Sequence, residues 1–189
     1  MANMDDVSRI LAAVDSGDAQ AASQLLPLVY DDLKRIAERH MAQEKPGQTL
    51  SATALVHEVY LRLVGPDDRK KWDHRGHFYF AAAEAMRRIL IERARSKQRL
   101  KRGGQWKRLA VDDVTLGIDS CPDEILALDE ALTDLESHNQ KAAELVKLRF
   151  FGGLGHQEAA EALGIGRRTA DGLWVVAKTW IYDRLSGDG

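Results

Sequence analysis

At 189 residues, with 44% hydrophobic and 30% charged residues and a formal net charge of −2, the chain has the composition of a helix-rich globular protein of one domain or two small ones. Its single cysteine, Cys121, excludes an intramolecular disulfide framework, and no apolar run approaches the roughly 20 residues of a membrane span. The opening MANMDDVSRI has acids where a signal peptide would have cations, so a cytoplasmic protein is expected.

Val7, Ile10, Leu11 and Val14 give a short first helix, closed by the run Asp15–Asp18. Asp18 reads as the N-cap of a second helix with Leu25, Leu28, Val29, Leu33, Ile36 and Ala37 on one side, bent or restarted near Pro27. Lys45-Pro46-Gly47 is a break. Ser51 then caps a third helix, Ala52 to Val64, whose buried stripe is Leu55, Val56, Val59, Tyr60 and Leu63. Gly65-Pro66 closes it, and a polar loop, Asp67–Arg75, leads to a long helical run, His77–Arg99.

That run is apolar at its start, with Phe78, Phe80, Ala81, Ala85, Ile89 and Leu90 at helical spacing, and cationic at its end. From Met86 to Arg108 ten cations (Arg87, Arg88, Arg93, Arg95, Lys97, Arg99, Lys101, Arg102, Lys107 and Arg108) stand against one acid, Glu92. This +9 segment is offset by −11 over the rest of the chain, the layout of a nucleic-acid-binding face in an otherwise acidic protein. Trp72, Phe78, Tyr79 and Phe80 precede the cations, and aromatic faces stack unpaired bases while cations hold the backbone. A solvated helix end is the plainer reading of the cations alone. Glu84 and Glu92 read as intrahelical partners of Arg87, Arg88 and Arg95.

Residues 103–120 are poorly periodic and read as a linker. Beyond Pro122, one helix carries Ile125, Leu126, Leu128, Leu132 and Leu135, and the next carries Ala142, Leu145, Val146, Leu148 and Phe150. His156–Leu163 is a short helix ended by Gly164, and Arg167-Arg168-Thr169 opens a longer one with Leu173, Trp174, Ala177, Ile181 and Leu185 inward. Small Ala160, Gly164 and the following anchor have helix-turn-helix spacing, which presents Arg167 and Arg168 to a major groove. No alternating β-branched run is bounded by turns, so the fold expected is all-α, two small helical domains joined by a linker.

Three segments in this order and separation, TALVHEVYLRLV (Thr53–Val64), WDHRGHFYFAAAEAMRRILIERAR (Trp72–Arg95) and LVKLRFFGGLGHQEAAEALGIGRRTADGLWVVAKTWI (Leu145–Ile181), resemble an RNA polymerase sigma factor of the extracytoplasmic-function group. The resemblance implies a region 2 domain over residues 1–102, a linker over 103–121 and a region 4 helix-turn-helix domain over 122–189. It implies that Thr53, Leu55, Val56, Glu58, Tyr60 and Arg62 bind polymerase. The loop of Trp72, His74 and Arg75 would cup a flipped −10 base, with Arg87, Arg88, Arg93 and Arg95 on the strand backbone. Arg167, Arg168, Thr169 and Lys178 would contact the −35 element. The implied partners are core RNA polymerase, through its β′ coiled coil and β flap, promoter DNA, and an anti-sigma factor, with no membrane contact and no cofactor.

The chain departs from the family pattern in three places. Arg88 stands where many members carry Asn, and Asp171, Gly172, Val175 and Val176 stand where relatives often carry polar or basic groups. Ahead of Leu55, an acidic cluster that pairs with the β′ coiled coil is replaced by Ser51-Ala52-Thr53-Ala54. A branch lacking these acids is associated with Ser/Thr kinase control, and a phosphate in a helix's first turn is favoured by free N–H groups and the dipole. Thr53 is therefore the expected phosphorylation site, with Ser51 and Thr49 as alternatives, against the plainer reading of Ser51 as an N-cap and Thr53 as an ordinary first-turn residue. The competing function is a helix-turn-helix regulator of duplex DNA that melts nothing. An enzyme is disfavoured, because His74 and His77 beside Asp73 lack further Cys or His ligands nearby in sequence.

Overall fold

A computed structural model of the chain describes residues 9, 10, 13, 19–41, 51–64, 75–100 and 122–186. Within them the chain is all helical, with seven helices and no strand. In order these are α1 (Ala19–Met41), α2 (Ala52–Val64), α3 (Arg75–Leu100), α4 (Pro122–His138), α5 (Gln140–Phe150), α6 (His156–Ala162) and α7 (Arg167–Ser186). Most of the first expected helix, the loop before α3 and the expected linker lie outside the described residues.

Local chemistry sets the helix boundaries. Ser51 Oγ accepts a hydrogen bond from the Ala54 N–H at 3.2 Å, so Ser51 is the N-cap of α2. Asn139 Oδ1 accepts from the Ala142 N–H at 3.0 Å, which ends α4 and starts α5 within one residue. The Gly155 N–H donates to Glu158 Oε2 at 2.8 Å at the start of α6. Pro27 does not interrupt α1, which runs through it as one helix with the proline ring exposed.

The apolar stripes close into one continuous core. Val29, Leu33, Ile36 and Ala37 of α1 and Leu55, Val56, Val59 and Leu63 of α2 are buried with the first half of α3. Leu128, Leu132 and Leu135 of α4, Leu145, Val146 and Leu148 of α5, and Ala177 and Ile181 of α7 continue that core. Helix α3 is the shared wall, for it packs against α2 on one side and against α4, α5 and α6 on the other. This double contact explains why its burial spreads beyond a single stripe, to Tyr79, Ala82, Ala83, Met86, Ile91 and Ala94.

The approach of α3 to α6 is close enough to specify glycine. A Cβ on Gly76 would stand 2.4 Å from the Ala162 carbonyl oxygen, so only hydrogen fits there.

Candidate nucleic-acid interface

The turn between α6 and α7 has the backbone that the sequence requires of it. Gly164 has φ +64°, its N–H donates to the Glu161 carbonyl at 3.0 Å, and the Ile165 N–H donates to the Ala160 carbonyl at 3.0 Å. This paired arrangement satisfies carbonyls at the end of α6 and reverses the chain into α7. Ala159, Ala160 and Ala170 are fully buried, which lets the two helices touch, and Leu173, Trp174 and Leu185 pack against the core. The Arg149 guanidinium lies 3.7 Å from the centroid of the Trp174 ring, and burial lowers its pKa.

The other face of α7 is open. Arg167, Arg168 and Thr169 are exposed in its first turn, while Lys178 is half-buried farther along. Asp171 is exposed too, and its Oδ1 lies 2.8 Å from His156 Nε2 of α6, a contact that spans the turn.

The cations of α3 differ in exposure and in how closely their partners enclose them. Arg88 is exposed and its Nε donates to Glu84 Oε1 at 3.1 Å. Arg87 is enclosed: it donates to Glu84 at 2.8 Å and to Asp129 of α4. Arg95 is largely exposed, 3.9 Å from Asp129, and Arg93 Nη1 reaches the Met41 sulfur at 3.6 Å. Trp72 and His74 lie outside the described residues, as does the side chain of Arg75.

Three expectations need correction. Phe78 and Tyr79 are buried, at 0% and 3% exposure, so they are core residues and not stacking platforms. The Tyr79 hydroxyl is spent on Asp32 Oδ2 of α1 at 3.1 Å. Glu92 pairs with Arg62 of α2 at 2.9 Å, where an intrahelical bond to Arg95 was expected, because α2 lies against that side of α3. That hydrogen bond, with Glu58 at 3.1 Å, raises the Arg62 pKa further.

The third correction concerns α2 as a binding helix. Leu55 and Val56 are fully buried and hold α2 in place from beneath, so they present no surface. Tyr60 is half-buried, and burial raises its pKa. The stripe that faces outward is Thr53, His57 and Leu61, one helical turn apart, with Leu61 at 68% exposure. Sequence reasoning missed Leu61, although its i+4 spacing from His57 was readable.

Sequence reasoning also missed two buried charges that join the halves of the chain. Asp129 is 7% exposed and takes Arg87, and Lys147 of α5 is 3% exposed. Lys147 Nζ donates to Glu136 at 2.9 and 3.0 Å and lies 3.6 Å from Glu84 Oε2. Buried charges persist only when paired, and here α3 supplies partners for both. Their signal was an ionic residue among leucines and valines: Asp129 follows Leu128, and Lys147 stands between Val146 and Leu148.

No described helix is long and apolar enough to cross a membrane. Among the described residues no three His, Cys, Asp or Glu side chains gather as a metal site requires. The family model described as ECF sigma factor matches residues 4–187 of the chain. Comparison with curated proteins and with solved structures gives no match.

Proposed function

The chain belongs to the ECF sigma factor family, the alternative sigma factors that direct transcription initiation with core RNA polymerase on promoter DNA, and from that premise we propose how its residues divide the task. Residues 1–102 form the unit that binds polymerase and opens the −10 element, 122–189 form the −35-reading unit, and 103–121 join them. The exposed stripe of α2 docks on the polymerase β′ coiled coil. Arg88 and Arg95 are available to the −10 strand as they stand, whereas Arg87 reaches it only when α4 withdraws Asp129. Arg167, Arg168 and Thr169 meet the −35 duplex, where the cations take phosphate or guanine edges.

Phosphorylation of Thr53 by a Ser/Thr kinase licenses polymerase binding in this reading. One observation supports it above the others: the first turn of α2 has no acid, and its exposed hydroxyl is Thr53. Ser51 is already used as the cap, and Thr49 lies outside the described residues. A phosphate on Thr53 brings about −1.5 to −2 charge to the positive end of the helix dipole, where a basic partner surface can take it.

The test is binding to core polymerase by the unmodified protein, by protein carrying phosphothreonine installed at position 53, and by Thr53→Ala. The phosphorylated form is expected to bind at least about tenfold tighter, one charge-assisted hydrogen bond being worth that much. Equal binding by all forms would remove the switch while leaving the sigma assignment in place.

A further inference from the structure

The outward face of α7 continues past its cations in an unexpected chemistry. At the helical period, Arg168, Gly172 and Val175 fall in one line, with Val176 beside it. All four are exposed, the valines at 60% and 46%. A Cβ built on Gly172 meets nothing within 4 Å, so no packing within the described chain calls for a glycine there. Glycine in mid-helix lowers stability relative to alanine, and two bare valines on an open face lower solubility. Both features fit a partner that comes close to the helix and offers small apolar groups.

We propose that this strip reads thymine: Val175, assisted by Val176, packs against thymine C5-methyl groups in the major groove, and Gly172 lets the base edges approach the helix backbone. The inference rests on the assignment of α7 to the −35 duplex given above. The exposed cations of the first turn favour DNA over a protein partner, because they match phosphate or guanine at the same end of the strip. Seven residues separate Arg168 from Val175, a rise of about 10 Å, or about three base pairs along the groove. The element read by α7 therefore carries a thymine about three base pairs from the base or phosphate held by Arg168.

The experiment uses the full chain, carrying phosphothreonine at position 53 and shown to be bound to core polymerase, selecting from a randomised duplex pool. The enriched duplex is then remade with deoxyuridine for each thymine, which removes only the methyl group. The native protein is expected to lose about fourfold in affinity for each methyl that Val175 or Val176 contacts. Val175→Ala should show a smaller uracil penalty than the native protein, and a circular dichroism spectrum checks that this exposed substitution leaves the helix intact.

Equal binding of both duplexes by the native protein would overturn the proposal, as would a uracil penalty undiminished in both Val175→Ala and Val176→Ala. Loss of core polymerase binding in those variants would overturn the proposal too and assign the strip to the polymerase instead. Failure to enrich any duplex would overturn the −35 assignment itself, an outcome distinct from the others.

Discussion

His40 shows what one buried polar residue does at a junction. It is the penultimate residue of α1, 4% exposed, with its Nε2 3.1 Å from the Phe150 carbonyl oxygen at the end of α5. Its ring sits 5.2 Å from that of Phe150 and 6.0 Å from that of Phe151. Burial dominates its titration and lowers the pKa from 6.5 to about 4, against the opposing hydrogen bond to Phe150. The unfolded chain therefore binds a proton that the folded chain refuses between those values. Stability attached to His40 is complete above pH 6.5, falls as pH drops toward 4, and amounts to about 3 kcal/mol. Urea unfolding across that window should show the loss, and His40→Phe should flatten that part of the profile. An unchanged slope would mean that His40 does not carry it.

At the scale of the element, α7 combines two conflicting demands. Its inner face, with Ala170, Ala177 and Ile181 buried, is ordinary helix packing. Its outer face holds Gly172, which costs up to about 1 kcal/mol against alanine and meets no neighbour that a methyl group would strike. Gly172→Ala should accordingly raise the stability of the folded chain by about 0.5–1 kcal/mol in thermal or urea unfolding. The same change should weaken duplex binding by the polymerase complex. A substitution that stabilises the helix and leaves binding untouched would make Gly172 incidental.

Across the whole molecule, the described helices before residue 101 and those after residue 121 are joined by more than apolar contact. Arg87 of α3 meets Asp129 of α4, with their side chains 13% and 10% exposed. Removing one partner of such a pair strands the other, so Asp129→Ala should cost about 3 kcal/mol. Replacing both charges, Arg87→Met with Asp129→Leu, should recover most of that loss, since apolar side chains of similar volume fill such a site well. Chemical unfolding of Asp129→Asn, which keeps the volume and removes the charge, distinguishes this from simple loss of volume, for which that variant would cost almost nothing.

Local sequence patterns sufficed for the helices from Ala19 onward among the described residues, for their inward faces in the second half of the chain, for the cap at Ser51 and for the glycine turn at Gly164. All of these depend on residues within five positions of one another, where periodicity and capping are local physics. Exposed Arg167, Arg168 and Thr169 were legible for the same reason. Which side chains of α3 stay exposed was set by its neighbours in space. Phe78, Tyr79 and Arg87 look available in a one-helix reading, yet Phe78 is buried in the core, Tyr79 bonds Asp32 of α1 and Arg87 is enclosed against Asp129 of α4. The pairs Arg62–Glu92, Arg87–Asp129 and Lys147–Glu84 join helices distant in sequence. A charge's choice of partner depends on distance and burial in space, and neither is encoded in the spacing along one helix.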